Sequence, residues 1–186
     1  GVAFQVKGLM DFDAEIAMPG RFSVYNALTA IAICRHFGVP VEAVKKALQE
    51  ARVKGRIELV KVSDEFTLLI DYAHNAMALE SLLTTLKEYD HGRLVCVITS
   101  DNPRFEEPQA IIDDIKTGIA KTDGKYIEIC DRKEAIAYAI DNGQPGDITV
   151  LAGKGHEDYQ EIRGVKHPMD ERVLIAQILK ERGISF

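Results

Sequence analysis

From Gly55 onward, runs of β-branched and aliphatic residues alternate with stretches of helical periodicity, and this alternation restricts the fold more than any other feature of the chain. Strand-like runs fall at 57–62, 66–72, 94–99, 126–130 and 148–152, with 159–162 as a further edge strand. Between and after them, residues 76–89, 108–120, 133–141 and 171–181 carry apolar side chains at intervals of three and four. In the first of these the apolar set is Met77, Leu79, Leu82, Leu83 and Leu86. Strands and helices that alternate in this way predict an α/β domain, with a mainly parallel sheet covered by helices on both faces. Ligands of such sheets sit beyond the carboxyl ends of the strands.

The chain before Gly55 has a different texture. Two short strands, 2–6 and 14–18, lead to the turn pair Pro19-Gly20. Ser23 is placed to cap a helix whose inward positions are Val24, Ala27, Leu28, Ile31 and Cys34, and Gly38 with Pro40 ends it. A second helix, 41–51, turns Val44 and Leu48 inward and sets Glu42 against Lys46 outside. Lys54-Gly55-Arg56 then forms a basic, hinge-like joint. A chain that opens in mid-strand is expected to be cut from a larger domain.

The balance of 23 basic against 29 acidic residues, with no basic block, argues against a nucleic-acid footprint. No apolar run reaches the length of a membrane span, and the chain opens without a signal-like segment, so a cytoplasmic protein is expected. Cys34, Cys96 and Cys130 each sit in an apolar run far from the others, which predicts three buried free thiols and no metal site.

Three strand-like runs end in polar clusters: Asp71-Tyr72-Ala73-His74-Asn75, Asp101-Asn102-Pro103-Arg104, and Gly153-Lys154-Gly155-His156-Glu157. Parallel strands bring all three to one edge of the sheet. In the second cluster, Pro103 stiffens the loop and pushes Asn102 toward an extended conformation. Arg104 offers a planar fork to a carboxylate, while Asp101 and Asn102 can accept from an ammonium. This suits the zwitterionic head of an amino acid; it also suits a tight turn that opens the next helix. Lys154 is open to two roles, contact with a phosphate or exposure to solvent.

These clusters, extended to Asp101-Asn102-Pro103-Arg104-x-Glu106-Glu107-Pro108 and Gly153-Lys154-Gly155-His156-Glu157-Asp158-Tyr159-Gln160, and joined by Pro19-Gly20-Arg21-Phe22-Ser23-Val24-Tyr25-Asn26-Ala27-Leu28, resemble the Mur ligase family over nearly the whole chain. The resemblance implies that 1–53 is the tail of a central ATP-binding domain and 54–186 a Rossmann-like C-terminal ligase domain. It implies an ATP-dependent amide ligase of peptidoglycan precursor synthesis, using ATP and Mg2+, with UDP-MurNAc-L-Ala-D-Glu and meso-diaminopimelate as substrates, acting as a monomer away from membranes. In the family reaction a carboxylate is phosphorylated to an acyl phosphate, which the incoming amine attacks. An L-lysine-adding homologue and a stand-alone amino-acid-binding module are the alternatives.

By the same resemblance, Asp101, Asn102, Pro103, Arg104, Gly153 and Glu157 recognise meso-diaminopimelate. Arg104 suits the carboxylate that L-lysine lacks, and Glu157 suits an ammonium. Asn26, Arg56, Asp71, Tyr72 and His74 match nucleotide-binding positions. Asn75-Ala76 follows His74 where the family favours Thr-Pro, and Ser23 stands where an asparagine is usual. Nowhere does the chain carry Gly-x-x-x-x-Gly-Lys-Ser/Thr, so the γ-phosphate has no P-loop and the fragment alone is expected to ligate nothing. One joint is physically awkward: 93–100 reads as one long strand, where family members carry a Gly-rich loop, a helix and a strand start between the counterparts of Val97 and Ile98. Since parallel neighbours need a crossover of about a dozen residues, a segment is expected to be missing between 97 and 98.

Overall fold

The computed structural model describes residues 1–8, 10–98 and 108–184, apart from the side chains of 108, 110–112 and 114. The first fifty residues build their own small core. Strands β1 (Val2–Val6) and β2 (Phe12–Ile16) pair antiparallel, and helices α1 (Arg21–His36) and α2 (Val41–Glu50) pack against them. Val6, Ala14, Ile16, Ala27, Ile31, Val44 and Leu48 are the buried set.

The second part is the α/β unit that the alternation predicts. Strands β3 (Glu58–Val60), β4 (Thr67–Asp71), β5 (Leu94–Val97) and β6 (Ile148–Ala152) form one sheet in the order β3-β4-β6-β5. β4, β6 and β5 run parallel, with Ile70 opposite Leu151 and Val97 opposite Leu151 on its other side. β3 is the antiparallel edge. The period of two divides the strand residues between the faces. Leu68, Ile70 and Leu151 meet Ile136 and Ile140 of α5 (Arg132–Asp141) and Ile175 and Ile178 of α6 (Glu171–Glu181). Leu69, Ile148 and Val150 meet Leu82 and Leu86 of α3 (Ala76–Lys87) on the opposite face. Helix α4 (Pro108–Ile119) lies between β5 and α5 in the chain.

Several expectations change. Helix α1 starts two residues before Ser23, with Gly20 as its cap residue; the buried Ser23 hydroxyl donates to the Pro19 carbonyl at 2.7 Å instead of capping. Leu28 and Met77 face solvent, since a helix with apolar residues all round does not declare its inner face. Glu42 pairs with Lys45, one helical turn away, at 3.8 Å, and Lys46 turns to Glu50. Residues 126–130 form no strand: Tyr126 and Ile127 are exposed, and Glu128 is taken up by Gln109 and Lys116 of α4. Alternation supplies a strand's faces but not the partner edge that makes it a strand. The strand expected at 159–162 is not an edge of the main sheet. It is β7 (Tyr159–Ile162), in a hairpin with β8 (Val165–Pro168). Cys130 is exposed, and Cys34 and Cys96 are half-buried, so none of the three thiols is fully enclosed. Among the described residues, no helix is long and apolar enough to cross a membrane.

Candidate functional site

The carboxyl ends of β4 and β6 bring two of the three polar clusters together. Asp71 ends β4, and the Gly153 amide donates to its carbonyl at 3.0 Å as the chain leaves β6. Asp101, Asn102, Pro103 and Arg104 lie outside the described residues.

Asp71 is buried, and both carboxylate oxygens accept from backbone: Oδ2 from the Ile57 amide at 2.8 Å and Oδ1 from the Ala73 amide at 2.8 Å. It thus holds the joint and the turn after β4 in place. Any ribose hydroxyl would have to use the lone pairs left over.

Tyr72, half-buried, is the centre of an aromatic group whose two histidine rings are exposed. Its ring lies 4.7 Å from that of His74 and 5.0 Å from that of His156, and the Arg56 guanidinium sits 5.0 Å from its centroid. The His74 ring nitrogen Nδ1 meets the Tyr72 carbonyl at 2.8 Å. The Tyr72 hydroxyl donates to Glu157 Oε1 at 3.4 Å. Burial first, and then the Glu157 carboxylate, raise its phenol above the ordinary tyrosine value, against the opposing pull of Arg56. Arg56, Tyr72, His74, Gly153 and Glu157 therefore lie in one neighbourhood. Asn26 lies exposed on α1, in the first core's layer, and makes no hydrogen bond or ring contact to this group among the described residues.

The loop after β6 is shaped by close approach. Gly153 and Gly155 take φ values of 112° and 53°, which favour glycine. A Cβ on Gly155 would come within 2.6 Å of the Tyr72 Cβ and 2.8 Å of the Gly55 carbonyl. Gly55 is its counterpart across the contact: a Cβ there would overlap the backbone of Gly155 and His156. The hinge-like joint is thus pressed directly onto the glycine loop.

Two ion pairs that sequence reasoning passed over, Glu58–Arg172 and Arg132–Glu171, hold this arrangement. Arg172 pairs with both oxygens of Glu58, donates to the Gly155 carbonyl at 3.1 Å and reaches Asp170 at 3.1 Å. Hydrogen bonding from Arg172 holds the Glu58 carboxyl below its usual range. Arg132 and Glu171 form a buried pair at the same sheet edge. Arg132 also donates to the carbonyls that end β6 and β5, Ala152 at 3.0 Å and Val97 at 3.4 Å. Glu58 and Arg172 are 114 residues apart, and two of Arg132's partners are backbone carbonyls, so no local pattern marks any of them. Lys154 is not exposed to solvent: its side chain is fully buried and bound within the loop.

A groove of about 1100 Å³ runs beside β3 and reaches the site at Lys54, Arg56 and Glu58. Among the described residues, no group of three or more His, Cys, Asp or Glu side chains is placed to hold a metal ion. The Mg2+ that the family resemblance implies therefore finds no such donor set among the described residues. For a nucleotide, the neighbourhood offers aromatic rings and a guanidinium that fit a sugar or base.

Residues 55–100 and 97–155 match the family described as Mur ligase, glutamate ligase domain. The chain belongs to the Mur ligase family. The UDP-N-acetylmuramoyl-L-alanyl-D-glutamate–2,6-diaminopimelate ligase of Caldanaerobacter subterraneus subsp. tengcongensis is 41% identical over 210 residues, covering 97% of this chain and 43% of the relative. The enzyme of the same name from Aquifex aeolicus is 38% identical, covering 98% of this chain and 42% of its own length. A solved structure of a ligase with that name superposes with a TM-score of 0.66 at 31% identity, over 98% of this chain and 43% of that one. A folylpolyglutamate synthase from Thermotoga maritima shares the fold, with a TM-score of 0.58 at 24% identity over 81% of this chain and 40% of its own. The chain spans less than half the length of the curated relatives it matches.

Proposed function

We propose that this chain is the amino-acid-recognition portion of an ATP-dependent ligase that adds meso-diaminopimelate to UDP-MurNAc-L-Ala-D-Glu in peptidoglycan precursor synthesis. The observation that carries this is the site itself in such a context. Glu157 stands beside the nucleotide-type group Arg56–Tyr72–His74 in a chain 41% identical to a diaminopimelate ligase across 97% of its length. Glu157 accepts from the ammonium of the incoming amino acid, and the Gly153 loop offers backbone to the same head. Arg104, with Asp101, Asn102 and Pro103, takes the carboxylate that distinguishes meso-diaminopimelate from L-lysine. Arg56, Tyr72 and His74 border the ribose and base, Asp71 fixes the backbone that carries them, and Asn26 reads adenine when the domains close. ATP supplies the phosphoryl group that activates the acceptor carboxylate. The sequence carries no P-loop for its phosphates, and among the described residues no cluster of side chains is placed to hold Mg2+.

In this proposal residues 1–53 are the tail of the ATP-binding domain and 54–186 the C-terminal domain of a cytoplasmic, monomeric enzyme. Relatives carry a further segment between the counterparts of Val97 and Ile98. Support comes from an alignment of 210 residues against a chain of 186, and from two family matches that meet at 97–100. The residues at 126–130 then lack the neighbouring strand that the segment would complete.

Titration calorimetry tests the specificity. Loss of a bidentate arginine–carboxylate contact costs about 1.5–3 kcal/mol, so L-lysine should bind about ten- to a hundredfold more weakly than meso-diaminopimelate. Arg104→Met should remove that difference. Equal binding of the two amino acids by the unsubstituted chain would remove Arg104 as the discriminator.

A further inference from the structure

Lys154 is the bulkiest fully buried side chain among the described residues, and it is a lysine. Buried ammonium groups are rare unless paired. Here the amine is bound on two sides: it lies 3.1 Å from Glu157 Oε2 and donates to the Tyr159 carbonyl. The Tyr159 ring is a further neighbour, its centroid 5.3 Å from Nζ. Glu157 is thereby held by both oxygens, Oε2 by Lys154 and Oε1 by the Tyr72 hydroxyl at 3.4 Å. The loop closes the arrangement from the backbone, since the Glu157 amide donates to the Lys154 carbonyl at 3.0 Å.

We infer that Lys154 is a positioning residue: it fixes the plane of the Glu157 carboxylate, with Tyr72 on the opposite oxygen, so that the carboxylate meets a ligand ammonium in one orientation. Lys154 touches no ligand itself and acts only through Glu157. A carboxylate on a flexible stem loses rotamer freedom when it captures an ammonium, and a carboxylate already clamped has less to lose. The clamp also joins the two halves of the site, because Tyr72, which packs against Arg56, His74 and His156 on the nucleotide side, holds the group that faces the amino acid. The inference rests on the proposal that Glu157 receives the amine of meso-diaminopimelate.

The test is calorimetry with meso-diaminopimelate on the 186-residue chain and three variants: Lys154→Met, Glu157→Gln and the double substitution. Loss of one charge-assisted contact predicts that Lys154→Met binds about tenfold or more weakly than the unsubstituted chain. In the Glu157→Gln background the same change should cost nothing further. Unchanged or tighter binding by Lys154→Met would overturn the inference, and so would losses that multiply in the double variant, because Lys154 would then be acting on the ligand directly. The double variant leaves no unpaired buried charge, so its comparison with Glu157→Gln decides the matter even where Lys154→Met alone does not fold. If the unsubstituted chain binds no meso-diaminopimelate, the ligand assignment fails on its own, and a crystal structure of Lys154→Met still decides the positioning role. A Glu157 carboxylate that has left Tyr72 supports it; one that keeps its place refutes it.

Discussion

Ile57 is a β-branched residue held at a φ of 42°, a conformation that costs about 1–3 kcal/mol and persists only where its surroundings enforce it. Here the Asp71 carboxylate holds its amide and the core behind α3 holds its side chain. Two residues earlier, Gly55 takes a φ of 72° against the backbone of Gly155 and His156. The cost of filling that space can be set against Gly38, which has a similar φ of 70° but open surroundings. Gly38→Ala should cost about 1–2 kcal/mol for the left-handed conformation alone. Gly55→Ala should cost about 3 kcal/mol or more, because the joint and the glycine loop must part. Urea unfolding of both variants measures the difference, and equal costs would mean that the contact contributes little. The strand-end motifs make Gly153, Glu157 and Tyr72 legible from the sequence as candidate site residues. The burial of Lys154 was not legible, because a lysine between two glycines reads as exposed until the fold brings Tyr159 and Glu157 around it.

At the scale of elements, the two edges of the sheet are held by different ion pairs. At the carboxyl edge, Arg132 joins the last carbonyls of β5 and β6 to Glu171 at the start of α6. Arg132→Met leaves a buried carboxylate without its main partner and should cost about 3–5 kcal/mol. Replacing Glu171 by Leu as well should recover part of that loss, leaving mainly the cost of the two orphaned carbonyls. Chemical denaturation of the single and double variants checks the order; a double variant less stable than Arg132→Met would contradict it. At the amino edge, the buried Asp147 carboxylate accepts from the Arg93 and Gln144 amides and from the Arg93 guanidinium. Hydrogen bonding from Arg93 above all lowers its carboxyl from 3.8 to about 2. A carboxyl depressed in the folded state stabilises it fully above the ordinary value and loses that contribution as pH falls through the folded value. The stability gap between the protein and Asp147→Asn should therefore be constant above about pH 4 and close as pH falls toward about 2. Denaturant midpoints between pH 2 and pH 7 measure it, and a gap that persists at the acid end would refute the assignment. The parallel strands and their helices were legible because periods of two and near four and the turn residues between them are local signals. The absent strand at 126–130 and the β7–β8 hairpin were not, because pairing depends on which edges the rest of the chain leaves open.

Across the whole molecule, two separate cores meet at the joint and at a short contact where Gly20 and Phe22 approach α3. The group around Tyr72 and Glu157 lies on the second core, at the carboxyl edge that parallel strands create. The central claim is that an amino-acid ligand is recognised there. Amide chemical-shift mapping during titration with meso-diaminopimelate tests it most directly. The account predicts that shifts concentrate at residues 71–74 and 153–157, while Gly92 and Gly146 at the opposite end of the sheet stay still. Shifts centred on the amino edge or on the first core, or none at saturating ligand, would contradict it.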